Sequence, residues 1–464
     1  MKHIDVKDIL KSEQYLDTNV IVCGWIRAIR NSKNVCFVEL NDGTSLNSLQ
    51  LVVDKTKGDN QNKLNDLKIG CSISARGNIV TSQNKIQKVE LNVDNFEVVG
   101  NCLEDYPLKK NKQNLETLRE IPHLRPRTNT FSAVFRVRSV LSKAIHDYFY
   151  DKGYVYVNPP IITGSACEGA GELFRLTTLD INEISRKGYH PNIDKDDFFG
   201  QKVSLSVSGQ LEAEALIQGL NRVYTFAPSF RANNSNTKKH LAEFWIVEPE
   251  VAFADINDIK VEVKELFNYI IKTILKECPD EIAFFTKYYD HNLTDKLLSS
   301  LETDFADLNY IDAIKILKKS GQHFDYPVTY GINLKTEHIK FLIREVYKKP
   351  IFINNSPKEI KPFYIKVNDD EKTVASSDLH FLNIGDIIGA SEKEADYNRL
   401  LNRIKELGMN ENDYKWYLDL RKYGTIPHSG FGLGIERLLM YITGIENIKD
   451  TIPFPRTKCK RLKI

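Results

Sequence analysis

The chain has 464 residues, 42% hydrophobic and 27% charged, with a formal net charge of +2. That length supports two or three domains with ample core, and the near-neutral balance excludes a global field for nucleic acid, so any RNA surface must be a local patch. Seven cysteines without a CxxC pair or zinc spacing fit a reducing cytosol, and no apolar run approaches the ~20 residues of a membrane span. The opening MKHIDVKDIL lacks a signal-peptide core, so a cytoplasmic location is expected. Residues 18 to about 100 hold five strand-like runs, VIVCGWIRAIR, NVCFVELND, SLQLVVD, CSISARGNIV and VELNVDNFEVVG, with a turn at Asn41-Asp42-Gly43. Five strands in a small all-β unit fit an OB-fold, a scaffold that often binds oligonucleotides. Residues 106–130 carry Pro107, Pro122 and Pro126 with little periodicity, and read as a linker with one short helix. The division expected is therefore 1–105, 106–130 and 131–464.

An amphipathic pattern runs from Phe131 to Lys152 and leads into GYVYVNPPII, a helix followed by a strand. The segment Val223–Phe253 reads as two strands, VYTFAPSFR and LAEFWIVEPE, around a loop of Asn, Ser, Thr and Lys. The first strand ends on Arg231 and the second carries Glu243, Glu248 and Glu250 among aromatic residues. Guanidinium at a strand end suits a polyphosphate, and a carboxylate in the same sheet suits an ammonium group. A hairpin with surface ion pairs is the plainer alternative. Residues 256–350 are mostly helical in pattern and show no recognisable chemistry. Further on, Asp378 and Asp386 bracket a short apolar segment in SSDLHFLNIGDIIG. Gly430, Gly432 and Gly434 then alternate along a strand, which lets a ligand approach the backbone, or simply eases packing. Glu436 and Arg437 open a helix with Leu438, Leu439, Ile442 and Ile445 at helical spacing.

The Val223–Phe253 and C-terminal glycine segments together resemble motifs 2 and 3 of the class II aminoacyl-tRNA synthetases. In finer detail the chain resembles the bacterial asparaginyl-tRNA synthetases, through FRxxNSNT, HLAEFWxxEPE, CEGAGE, SVSGQLExE, YGTIPHSGFGLG and DTIPFPRT. The resemblance covers essentially the whole chain. It implies an α+β catalytic domain on an antiparallel sheet with flanking helices, the class II synthetase fold, behind an N-terminal OB-fold. It also implies an insertion of mixed structure at about 256–350. The activity implied is a ligase that forms a carbon–oxygen bond. L-Asparagine and ATP give asparaginyl-adenylate, and the asparaginyl group passes to the 3′ end of tRNA(Asn). Mg2+ and a homodimer, built on the helix and strand with Gly153 and Pro160, belong to the same implication.

Residue by residue, the resemblance makes Arg231 the arginine on the α-phosphate and Arg437 the one that sandwiches adenine against Phe244. His240 would assist the phosphates, although a lone histidine at a loop end is often a surface residue. Asp378 and Asp386 would hold Mg2+, and Asp386 the ATP phosphates as well. Glu168 and Glu248 would bind the substrate ammonium and Gln210 its backbone. Glu214 would accept the side-chain NH2 of asparagine, because a carboxylate accepts from an amide but repels the carboxylate of aspartate. Related aspartate enzymes place a lysine where this chain has Ala213. An ordinary ion pair remains the alternative for Glu214. In the OB unit, Phe37 and Gln50 match positions that stack on and bond the central anticodon base, and Arg27 and Arg30 would meet phosphate or base edges. Phe37 could instead be a core aromatic.

Three positions depart from the family. Asn233 replaces a glutamate near the nucleotide, Lys393 replaces an arginine that donates to the substrate side chain, and Asp386 replaces a glutamate. Lysine donates without a planar fork, and aspartate reaches one methylene less. The competing readings are an aspartate-accepting enzyme, a tRNA-independent relative and a non-catalytic RNA-binding paralogue.

Overall fold

A computed structural model of the chain describes residues 3–57, 60–82, 87–108, 114–165, 173–188, 193–233 and 237–458. Contacts divide it into two units, residues 1–133 and residues 134–462. In the first, β1 (Asn19–Asn31), β2 (Val35–Asn41), β3 (Leu49–Asp54), β4 (Ser72–Thr81) and β5 (Val89–Gly100) close into a barrel in the order β1-β2-β3-β5-β4. Alternation builds it. Cys36, Val38 and Leu40 point inward from β2, and Leu49, Leu51 and Val53 do so from β3. Closure leaves no unpaired strand edge. A bulge at Arg27, where the β1–β2 register shifts between Ile26 and Ala28, turns that side chain out of the ladder. After the barrel comes a short helix, Leu115–Glu120, capped by Asn114.

The second unit is built on an eight-stranded sheet. Its strands are β6 (Val155–Tyr156), β7 (Arg222–Phe230), β8 (Glu243–Ala252), β9 (Ala306–Asn309), β10 (Ile351–Asn354), β11 (Ser376–Phe381), β12 (Gly385–Glu392) and β13 (His428–Gly434). They lie in the order β9-β10-β11-β12-β13-β8-β7-β6, antiparallel in the middle and parallel at the two edge pairs. Helices cover it. α1 (Asn129–Asp151) buries Val134, Val137, Leu141, Ala144, Ile145 and Phe149 at helical spacing. α2 (Gln210–Leu220) packs on β7 and β8. α3 (Ile256–Glu277) starts on an Asp255–Asp258 capping box and buries Ile259, Val263, Leu266, Phe267, Ile270 and Ile274. It packs against β11, β12 and β13, with Phe267 against Phe381 and Tyr441. Between 279 and 341 helices Pro279–Tyr288, Leu293–Glu302, Tyr310–Lys319 and Thr336–Phe341 accompany β9, with an irregular stretch at 320–335, and Tyr310, Ile314, Leu317 and Ile339 share a core with Ile351 and Ile353. α4 (Lys415–Lys422) and α5 (Ile435–Thr443) flank β13 in sequence, and α5 ends on Gly444 in the left-handed conformation.

Candidate active site

The floor of a cleft of about 1100 Å³ is the β7–β8 hairpin with β12 and β13. Pairing sets Ser229 opposite Phe244, Thr225 opposite Glu248 and Val223 opposite Glu250. Phe244, Ile246 and Glu248 share one face of β8 and line the cleft, because strand side chains alternate. Four residues of strand separate Phe244 from Glu248 by roughly 13 Å, enough for a nucleotide and an amino acid side by side. Gly432 and Gly434 on β13 and Gly389 on β12 leave their part of the floor without side chains. Gly430 answers a different need. A Cβ there would stand 2.2 Å from the Pro249 carbonyl oxygen and 2.3 Å from the Glu250 carboxylate.

One set of lining residues is cationic. Arg231 follows β7, and its guanidinium lies 5.4 Å over the Phe244 ring. Arg437, in the first turn of α5, donates from Nη1 to Asp386 Oδ2 at 2.8 Å and to the Asp386 carbonyl at 2.6 Å. Lys239 and His240 also face the cleft, and burial followed by the charge of Arg437 pushes both below their ordinary pKa. The Lys239 ammonium is buried with no hydrogen-bond partner among the described residues. An unmatched cation in this setting suits a polyanionic ligand. Asp378 pairs with Lys361 at 2.5 Å, and its partner strand carries Asp386.

The second set is acidic and amide. Gln210 and Glu248 line the cleft. Glu248 accepts from the Ser208 hydroxyl and from the Gly209 N–H at 2.9 Å. The Gln210 amide donates to Glu250 Oε1 at 2.5 Å, and the same oxygen meets Lys393 Nζ at 2.8 Å. Burial raises the Glu250 carboxyl pKa, an effect that Lys393 opposes. Glu214, on α2, accepts on Oε2 from Tyr417 at 2.6 Å and from Arg421 at 2.7 Å, and faces His428 Nε2 at 2.9 Å. Burial would raise its pKa, but Arg421, His428 and Lys393 outweigh that and hold it down, to about 2.

Of the residues singled out from sequence, Arg231, His240, Phe244, Asp378, Asp386, Arg437, Gln210 and Glu248 meet in this cleft, and Asn233 lies on its wall. Glu168 lies outside the described residues. One expectation needs correction. Lys393 does not line the cleft. Its side chain is fully buried and bonded to Glu250 and to the Ser391 carbonyl at 3.2 Å. A buried carboxylate without a counter-charge is costly, so the lysine is committed to Glu250. Phe244 carries Arg231 over its ring, while Arg437, expected to close on adenine from the other side, lines the same cleft and is paired with Asp386. Glu214 too stands behind the cleft wall, fully buried. Sequence reasoning missed Lys239, Tyr417, Arg421 and His428. Lys239 was visible only as part of a cationic loop, and Tyr417 and Arg421 only as one face of a polar helix.

On the barrel, β2 alternates so that Phe37 points outward between the core residues Cys36 and Val38, which removes the core-aromatic alternative. Arg30, opposite it in register, lies 4.7 Å over its ring. Gln50 shares the outward face of β3 and donates to Glu90 at 2.8 Å. Arg27 is half-buried, and burial lowers its pKa. Its Nε has no partner among the described residues.

A barrel of OB order and an antiparallel sheet with cationic and acidic residues in one cleft define a class II synthetase architecture. The family described as tRNA synthetases class II (D, K and N) matches residues 114–458, and the OB-fold nucleic acid binding domain matches residues 20–99. An asparagine–tRNA ligase of Clostridium kluyveri is 48% identical over 458 residues, covering 98% of this chain and 99% of that protein. One of Acetivibrio thermocellus is also 48% identical with the same coverage. Among solved structures, asparaginyl-tRNA synthetase of Pyrococcus horikoshii complexed with asparaginyl-adenylate superposes with a TM-score of 0.87 at 32% identity over 100% of both chains. The chain belongs to the asparagine–tRNA ligase family.

Proposed function

We propose that the chain activates L-asparagine with ATP and transfers it to tRNA(Asn). The asparagine carboxylate attacks the α-phosphorus and pyrophosphate leaves. The ribose hydroxyl at the tRNA 3′ end then takes the asparaginyl group and AMP leaves. The observation that carries this reading is the single cleft in which Arg231, Lys239 and Arg437 share a wall with Phe244, Gln210 and Glu248. Such chemistry depends on positioning and on charge stabilisation. Arg231 and Arg437 would hold phosphate oxygens, with His240 beside them. Phe244 would carry the adenine. Gln210 and Glu248, together with Glu168, would hold the asparagine backbone. Glu214 would receive its side-chain amide. ATP–pyrophosphate exchange with asparagine against aspartate tests the reading. Exchange with asparagine alone is expected, exchange with aspartate would reassign the substrate, and none with either would leave a non-catalytic paralogue.

Asp378 and Asp386 would hold Mg2+. Both carboxylates open on the cleft, each now balanced by one cation, and hard oxygen donors suit that ion. No cluster of three or more His, Cys, Asp or Glu exists among the described residues, so phosphate oxygens and water would complete its shell. When bound, the ion would offset phosphate charge. The domain plan follows the activity: residues 1–105 would read the anticodon through Arg27, Arg30, Phe37 and Gln50, and 131–464 would carry the chemistry. A homodimer is supported by apolar residues left exposed at the end of α1 and beyond it, with Tyr150 at 81% and Val155, Tyr156, Ile161 and Ile162 above 40%. A cytoplasmic location is supported by the free thiols among the described cysteines, and no described helix is long and apolar enough to cross a membrane.

A further inference from the structure

Glu214 has two carboxylate oxygens in very different surroundings. Oε2 receives the Tyr417 hydroxyl and Arg421 Nη2 and faces His428 Nε2, all within 2.9 Å. Oε1 is buried and has no partner among the described residues. The asymmetry is built from outside the carboxylate. Tyr417 and Arg421 are four apart on α4 and therefore share a face. The guanidinium lies 4.1 Å over the Tyr417 ring, and Nη2 also donates to the Tyr417 hydroxyl oxygen at 2.9 Å. Nε donates to the Glu394 carbonyl at 2.8 Å, which fixes the plane of the fork. His428 Nδ1 is held by the Ile426 carbonyl at 2.8 Å. Each donor is thus anchored independently of Glu214. A buried carboxylate oxygen without a donor is destabilising, and its persistence in a well-bonded cluster marks a place where a ligand donor belongs.

We propose that Arg421 and Tyr417 are positioning residues for amino-acid selection. They turn Glu214 so that Oε2 is consumed by protein donors and Oε1 alone is presented to the side-chain NH2 of the substrate. The proposal rests on the reading that Glu214 meets that amide. Arg421 has a second effect, because its charge keeps the carboxylate ionised against the pull of burial. An ionised acceptor repels a substrate carboxylate, whereas a protonated one could donate to it. Selection against aspartate therefore depends on a cation that never touches the substrate. The groups that face Glu214 are Arg421 and Tyr417 from α4, His428 from β13, Lys393 beyond β12 and Glu250 from β8, with Glu212 on its own helix.

The test compares Glu214→Gln, Arg421→Met, Arg421→Lys and Tyr417→Phe in the full chain. The readout is pyrophosphate exchange with asparagine and with aspartate between pH 6 and 9. For Arg421→Met, KM for asparagine should rise about tenfold or more with KM for ATP nearly unchanged, and the asparagine-to-aspartate ratio should fall and become pH-dependent. Arg421→Lys should restore part of the ratio. Tyr417→Phe, which removes a single hydroxyl, should raise KM for asparagine about threefold and serves as the test if the Arg421 variants do not fold. A Tyr417→Phe enzyme with unchanged KM and ratio overturns the proposal. So does an Arg421→Met enzyme in which both KM values shift together at a constant ratio, the pattern of a purely structural role. If Glu214→Gln leaves the ratio intact, the amide-acceptor reading itself fails. If Glu214→Gln changes the ratio while the Arg421 and Tyr417 variants do not, only the positioning role fails.

Discussion

Arg437 donates from one nitrogen to both the carboxylate and the backbone carbonyl of Asp386, at 2.8 and 2.6 Å. On the proposed roles, the arginine assigned to nucleotide is already occupied by the side chain assigned to the metal and phosphates. On that proposal, binding ATP would loosen this pair. Asp386 stands at the exposed edge of the cleft, so a longer side chain meets no packing barrier. Asp386→Glu should extend the carboxylate into the cleft and raise kcat/KM for ATP about fivefold, for a gain of ~1 kcal/mol. Pyrophosphate exchange at varied ATP measures it. A lower kcat/KM would show that the cleft has adapted to the shorter residue.

Lys393 and Glu250 form a pair with no solvent exposure on either side chain. Removing one member strands the other charge. Lys393→Met should cost about 3–5 kcal/mol of stability, and adding Glu250→Gln should recover much of that. Urea unfolding of the two single variants and the double variant measures the coupling. A double variant no more stable than Lys393→Met would mean that the pair is not the unit that matters.

Much of this site was legible before any coordinates. Arg231 and Glu248 were readable on the two strands of one hairpin, Phe244 through the family resemblance, and the alternating glycines of β13 marked a strand that a ligand could approach. Contacts between distant segments were not legible. Nothing in KWYLDLRK announces that Tyr417 and Arg421 will close on Glu214, more than two hundred residues earlier. Lys393 was readable as a donor near the substrate, but its burial against Glu250 depends on where β8 and β12 lie in the sheet. Phe37 was ambiguous because a single aromatic in an alternating strand has two faces to choose from, and only the barrel's closure decides which is inside.

Gly430 is confined both by the Pro249 carbonyl oxygen and by the buried Glu250 carboxylate. Gly430→Ala should force β13 from β8 or displace the Glu250 carboxylate, at a cost of about 1–3 kcal/mol. The Gln210 contact to Glu250 would move with it. A lowered melting temperature with a raised KM for asparagine is expected. Unchanged values for both would show that the strands separate without consequence.

Deleting residues 1–105 should spare adenylate formation, because every cleft residue lies beyond them. Charging of tRNA should fall strongly, and the salt dependence of tRNA binding should become shallower as phosphate contacts are lost. Phe37→Ala in the intact chain should weaken tRNA binding in the same direction, by about 1–3 kcal/mol for one stacked base. Normal charging by the truncated chain would sink the assignment of this barrel to tRNA.

The Glu214 cluster also predicts how stability varies with pH. The folded carboxyl titrates at about 2, below its ordinary 4.5, because Arg421, His428 and Lys393 outweigh burial. A depressed carboxyl stabilises the fold fully above its unfolded value, and that stability is lost as pH falls through the folded one. The contribution should therefore disappear between pH 4.5 and about 2. Glu250 opposes this. Burial raises its pKa, so the folded state takes up its proton first as pH falls and is favoured by acid. Urea midpoints measured from pH 5.5 down to pH 3 should fall less steeply in Glu214→Gln than in the unaltered chain. They should fall more steeply in Glu250→Gln. Equal slopes in Glu214→Gln and the unaltered chain would mean that Glu214 titrates alike in both states, and that Arg421 does no more than offset the cost of burying it.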